Sequence, residues 1–63
     1  MKTKSSVLVI DDDPTFRSLV KDLLEDMDCE VTEAEDVTAG LELAVKDPPQ
    51  LIIVDMMMPG RPG

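Results

Sequence analysis

Two short, unbroken aliphatic runs, each stopped by aspartate, constrain this chain more than any other feature. Val7-Leu8-Val9-Ile10 leads into Asp11-Asp12-Asp13-Pro14, and Leu51-Ile52-Ile53-Val54 leads into Asp55. A strand with one wet face alternates apolar and polar residues. A continuous, β-branched run is instead the pattern of a strand covered on both faces, as in a parallel sheet. Parallel neighbours need crossover connections of a dozen or more residues, usually helices.

The intervening sequence supplies them. Asp13 followed by Pro14 reads as an N-cap with proline at the first helical position. Phe16, Leu19, Val20, Leu23, Leu24 and Met27 then recur at the spacing of one helical face, with Arg17, Lys21, Asp22 and Glu25 elsewhere. A first helix is therefore expected from about Pro14 to Met27. Cys29 to Ala34 alternates loosely around Val31 and Thr32, which predicts a weaker strand near a sheet edge. Asp36 offers a second N-cap, and Val37, Gly40, Leu41, Ala44 and Val45 form a narrow stripe before Pro48-Pro49. That predicts a second helix over Val37 to Lys46. Gly40 inside it costs about 1 kcal/mol against alanine, which suggests close packing or simple tolerance. The order is β-α-β-α-β, an α/β class with a parallel sheet.

With 63 residues the chain makes at most one small domain, and Phe16 is its sole aromatic, so a core of Leu, Val, Ile and Met is expected. Fourteen acids against six bases give a formal charge of −8. Such a field repels nucleic acid and anionic lipid, and favours a cation or a basic partner. Cys29 stands alone, so neither a disulfide framework nor a thiolate zinc site is available within the chain, and a reducing cytoplasm fits best. The apolar run behind the basic start is only four residues long, so neither an export signal nor a membrane span is expected.

Ligands of open parallel α/β sheets gather outside the carboxyl ends of the strands. Asp11, Asp12 and Asp13 follow the first strand and Asp55 the third, so neighbouring strands bring these carboxylates to one rim. Crowded anions call for a cation. Hard oxygen donors, with no histidine in the chain and a single cysteine, select Mg²⁺, Mn²⁺ or Ca²⁺ over zinc or copper. Mg²⁺ suits one or two carboxylates together with water and a phosphate. Met56-Met57-Met58 reads as loop and core filling, Cys29 as a small hydrophobe, and Asp13 as a cap.

Val-Leu-Val-Ile-Asp11-Asp12-Asp13-Pro14, together with Leu-Ile-Ile-Val-Asp55-Met-Met-Met58-Pro59-Gly60, resembles the response-regulator receiver domain of two-component signalling. The resemblance runs from about Ser6 to Gly63 and includes Arg17 in the first helix. It implies the first half of a flavodoxin-like doubly wound sheet, with strand order 2-1-3. It also implies that Asp55 is the phosphoacceptor, the nucleophile taking a phosphoryl group from a sensor histidine kinase or phosphotransfer protein. Asp12 would be a direct Mg²⁺ ligand, Asp11 would hold metal-bound water, and Met57 would offer its backbone carbonyl to the metal. Met58-Pro59-Gly60 would turn the chain so that the Asp55 carboxylate faces the metal.

The family's later Ser or Thr and Lys, which contact the phosphoryl group, have no counterpart up to Gly63. The parent domain would catalyse its own phosphorylation and dephosphorylation, whereas residues 1–63 alone would transfer weakly or not at all. A bare third-strand edge would favour a homodimer, strand three against strand three. Two other readings compete. Asp11-Asp12-Asp13-Pro14-Thr15 also fits the Asp-x-Asp-x-Thr of haloacid-dehalogenase-like phosphatases, with Asp11 as nucleophile and Asp13 as general acid. The chain could also be an association module without chemistry.

Overall fold

The computed structural model describes residues 4–55. Along it run β1 (Ser5–Ile10), α1 (Pro14–Asp26), β2 (Cys29–Ala34), α2 (Val37–Lys46) and β3 (Leu51–Val54). The three strands form one parallel sheet in the order β2-β1-β3, the order expected for the first half of a flavodoxin-like doubly wound sheet. The edge position expected for the second strand is the one β2 takes. Register pairs Ile10 with Ala34 on one side and with Val54 on the other.

Because successive strand residues point to opposite faces, this register sorts the side chains into two sets. Leu8, Ile10 and Ala34 form the core cluster on one face, where Val37, Ala39, Leu43 and Ala44 of α2 region pack against them. Val7, Val9 and Glu33 lie on the other face, which α1 covers. Val7 to Ile10 are all buried, as the unbroken apolar run predicts for the central strand.

Both expected caps form. Asp13 Oδ1 accepts the Thr15 and Phe16 amides at 3.0 and 3.4 Å, and Asp36 Oδ1 accepts the Ala39 amide at 2.8 Å. The first helix ends one residue earlier than its apolar pattern suggests, with Met27 as C-cap. Asp28 follows at φ 66°, a left-handed conformation that Asp tolerates better than most residues and that turns the chain into β2. At the start of β3, the Gln50 amide donates to the Ser6 carbonyl at 2.9 Å while the Gln50 side chain accepts the Ser6 amide at 3.1 Å.

The burial of α1 departs from what its apolar face suggests. No residue of α1 is buried, and its apolar face is split: Val20 and Leu24 are half-buried, whereas Phe16 is 52% and Met27 72% exposed, with Leu19 and Leu23 between them. The helix lies mainly against β2, an edge strand, so part of its apolar arc extends beyond the sheet. The described core is aliphatic, as expected; Met27 is exposed, and the other four methionines lie outside the described residues. Leu51, Ile52 and Val54 of β3 are likewise exposed, since β3 is the other edge.

Candidate functional site

The end of β1 and the end of β3 meet at one rim because they are hydrogen-bonded neighbours. The Asp55 amide donates to the Ile10 carbonyl at 3.0 Å, which carries the β1–β3 ladder one residue past Val54 and sets Asp55 level with Asp11. On the other flank the Asp11 amide donates to the Ala34 carbonyl at 3.1 Å. The acidic loop after β1 is thus tied to both neighbours before any side chain is considered.

Asp11, Asp12 and Asp55 each bring a carboxylate oxygen to within 4.8 Å of one another. They differ in exposure: Asp11 is 2% exposed, Asp55 half-buried and Asp12 open to solvent. Asp11 is the buried charged residue of the described chain, and its Oδ1 accepts the Asp13 amide at 2.9 Å. A buried carboxylate needs such donors or a cation, because removing it from water is costly. Oxygens around an octahedral Mg²⁺ at about 2.1 Å lie roughly 3 to 4 Å apart, a spacing comparable with that of these three carboxylates. The donor set is all oxygen, as Mg²⁺ or Mn²⁺ prefers. The residues therefore fit a hard divalent cation.

Asp13 does not belong to this group. Its carboxylate is turned to the N-terminus of α1, where it serves as the cap. That leaves the Asp11–Asp13 phosphatase reading without the general acid it needs. Met57, expected to offer a backbone carbonyl, and the Met58-Pro59-Gly60 turn lie outside the described residues.

The resemblance included Arg17 but gave it no role. Arg17, assigned by periodicity to the polar side of α1, turns inward: its Nη1 donates to the Asp11 carbonyl at 2.6 Å and its Nε to Glu33 Oε1 at 3.1 Å. Lys21, one turn on, lies 3.6 Å from the other Glu33 oxygen. The i, i+4 spacing of Arg17 and Lys21 was visible in the sequence. Their common acceptor on β2 was not, because it depends on how α1 is rotated over the sheet.

Known proteins give a consistent picture. The family described as "Response regulator receiver domain" matches residues 7–63. Among curated proteins, the "Uncharacterized 14.6 kDa protein in sodA1 3'region" of Leptolyngbya boryana is 39% identical over 90% of this chain and 44% of its own length. The "Sensor histidine kinase TmoS" of Ectopseudomonas mendocina is 40% identical over 90% of this chain and 6% of its own. The "DNA-binding dual master transcriptional regulator RpaA" of Synechocystis sp. is 43% identical over 90% and 24%. The chain thus spans less than half the length of each of these relatives. No solved structure gives a significant match.

Proposed function

Because this chain belongs to the response regulator receiver domain family, we propose that Asp55 is the phosphoacceptor of a two-component signalling protein, with Asp11, Asp12 and Asp55 as carboxylate ligands of Mg²⁺. The observation that carries the reading is the convergence of these three carboxylates at the ends of β1 and β3. A carboxylate oxygen of Asp55 attacks the phosphorus of a phosphohistidine, the phosphorus–nitrogen bond breaks, and the imidazole leaves behind an aspartyl phosphate. The donor is a sensor histidine kinase or a phosphotransfer protein. When bound, Mg²⁺ supplies positive charge against the phosphoryl oxygens. Asp11 and Asp12 hold that cation, and Mn²⁺ is an acceptable substitute for the same oxygen set.

Residues 1–63 supply the first half of the domain in this reading. The lone Cys29 suits the reducing cytoplasm in which we place the reaction. Among the described residues no helix is long and apolar enough to cross a membrane. The charge of −8 argues against direct contact of this segment with nucleic acid. Taken alone, the 63-residue chain pairs with a second copy through the β3 edge.

The test is acyl-phosphate formation on the full-length protein with acetyl phosphate and Mg²⁺, followed by intact-protein mass spectrometry. Asp55→Asn abolishes the phosphoryl adduct. Label that persists in Asp55→Asn and disappears in Asp11→Asn would overturn the assignment in favour of the phosphatase-like nucleophile. The chain of 63 residues alone labels weakly or not at all.

A further inference from the structure

Asp11 is held on three sides. Its amide donates to β2 at the Ala34 carbonyl, its Oδ1 accepts from the Asp13 amide, and its carbonyl accepts from Arg17 Nη1. The last of these bonds comes from a side chain six residues away whose Nε is already engaged with Glu33. The Arg17 side chain is 19% exposed, and Glu33 is partly buried beside it. One planar guanidinium thereby joins α1, β2 and the loop between β1 and α1.

We propose that Arg17 is the positioning residue of the acidic site: its fork between Glu33 and the Asp11 carbonyl fixes the peptide of Asp11, and through it the carboxylates that take the cation. The inference rests on the Mg²⁺ reading above. Guanidinium suits this role because its rigid fork serves two acceptors in fixed directions, which a single ammonium does not. Groups that hold metal ligands in place typically matter 10- to 100-fold for metal affinity.

Charge alone makes the opposite prediction. Arg17 and Lys21 set two cations against the single Glu33 carboxylate, and this excess positive charge opposes a divalent cation nearby. If Arg17 acted only through its field, Arg17→Met would tighten Mg²⁺ binding and Arg17→Lys would leave it unchanged. As a positioning residue it gives a different sign: Arg17→Met weakens binding about tenfold, and Arg17→Lys, with its charge conserved, also weakens it.

The experiment is calorimetric titration of Mg²⁺ into the full-length wild-type protein, Arg17→Met, Arg17→Lys and Asp12→Ala, with amide hydrogen exchange of Asp13 measured in the metal-free proteins. Weaker binding in both Arg17 variants, with faster Asp13 exchange, supports the inference. Arg17→Lys conserves charge and is the milder variant should Arg17→Met fail to fold. Unchanged or tighter binding in the Arg17 variants, with Asp12→Ala still impaired, overturns the positioning role and spares the metal site. Wild-type binding by Asp12→Ala overturns the metal reading itself, and the inference with it.

Discussion

Three successive aspartates end up with three different tasks, and their environments decide which. Asp11 is buried and hydrogen-bonded within its loop, Asp12 projects to solvent at the rim, and Asp13 accepts two amides of α1. Removing a cap of the Asp13 type costs about 1 kcal/mol. Asp13→Ala therefore lowers the unfolding free energy by that amount, read as a lower urea midpoint, while leaving Mg²⁺ affinity nearly as it was, because Asp13 bonds Asp11 Oδ1 through its backbone amide, which the substitution keeps. Paired denaturation and titration of this variant check both halves. The cap was legible because Asp-Pro before an apolar periodic stretch has one common meaning. The role of Arg17 was not, since its partner Glu33 is adjacent only after β2 has folded beside β1.

Packing between α2 and β1 turns on Gly40. A methyl group at Gly40 would press on Ile10, with Cγ1 at 2.8 Å and Cδ1 nearer still. The sequence left open whether this glycine was tolerated or needed, and the contact with Ile10 decides for need. Alanine gains about 1 kcal/mol of helix propensity, but overpacking typically costs about 1 to 3 kcal/mol. Gly40→Ala is expected to lower the melting temperature, and thermal unfolding followed by circular dichroism reads it. Element boundaries were legible to within a residue or two because β1 and β3 are contiguous apolar runs, β2 alternates around Val31 and Thr32, and the helices begin at caps. The rotation of α1 was not, since a periodic stripe defines a helical face without saying how much of it the sheet can cover. The β3 edge carries no charge to discourage pairing. Light scattering of the 63-residue chain should show association that Ile53→Lys abolishes; association unchanged by that substitution would remove β3 as the seam.

For the molecule as a whole, net charge and site act together. A charge of −8 on so short a chain opposes compaction, and the three rim carboxylates concentrate part of it. A cation bound to the folded state alone stabilises it by about 1.4 kcal/mol at ten times its Kd. Monovalent salt only screens. MgCl₂ should therefore raise the melting temperature above that in NaCl of equal ionic strength, and Asp12→Ala should erase the difference. The fold and the meeting of Asp11 with Asp55 were readable because both follow from strands that end in acid.

The ladder that sets Asp55 level with Asp11 makes the acidic rim a parity check on strand pairing. If β3 slipped by one residue against β1, Asp55 would turn to the opposite face of the sheet. If it slipped by two, the face would be kept but the carboxylate would sit about 6.6 Å away, beyond sharing a cation with Asp11. A cation held by both strand ends would thus reward one alignment and penalise its neighbours, proofreading the pairing while the chain folds.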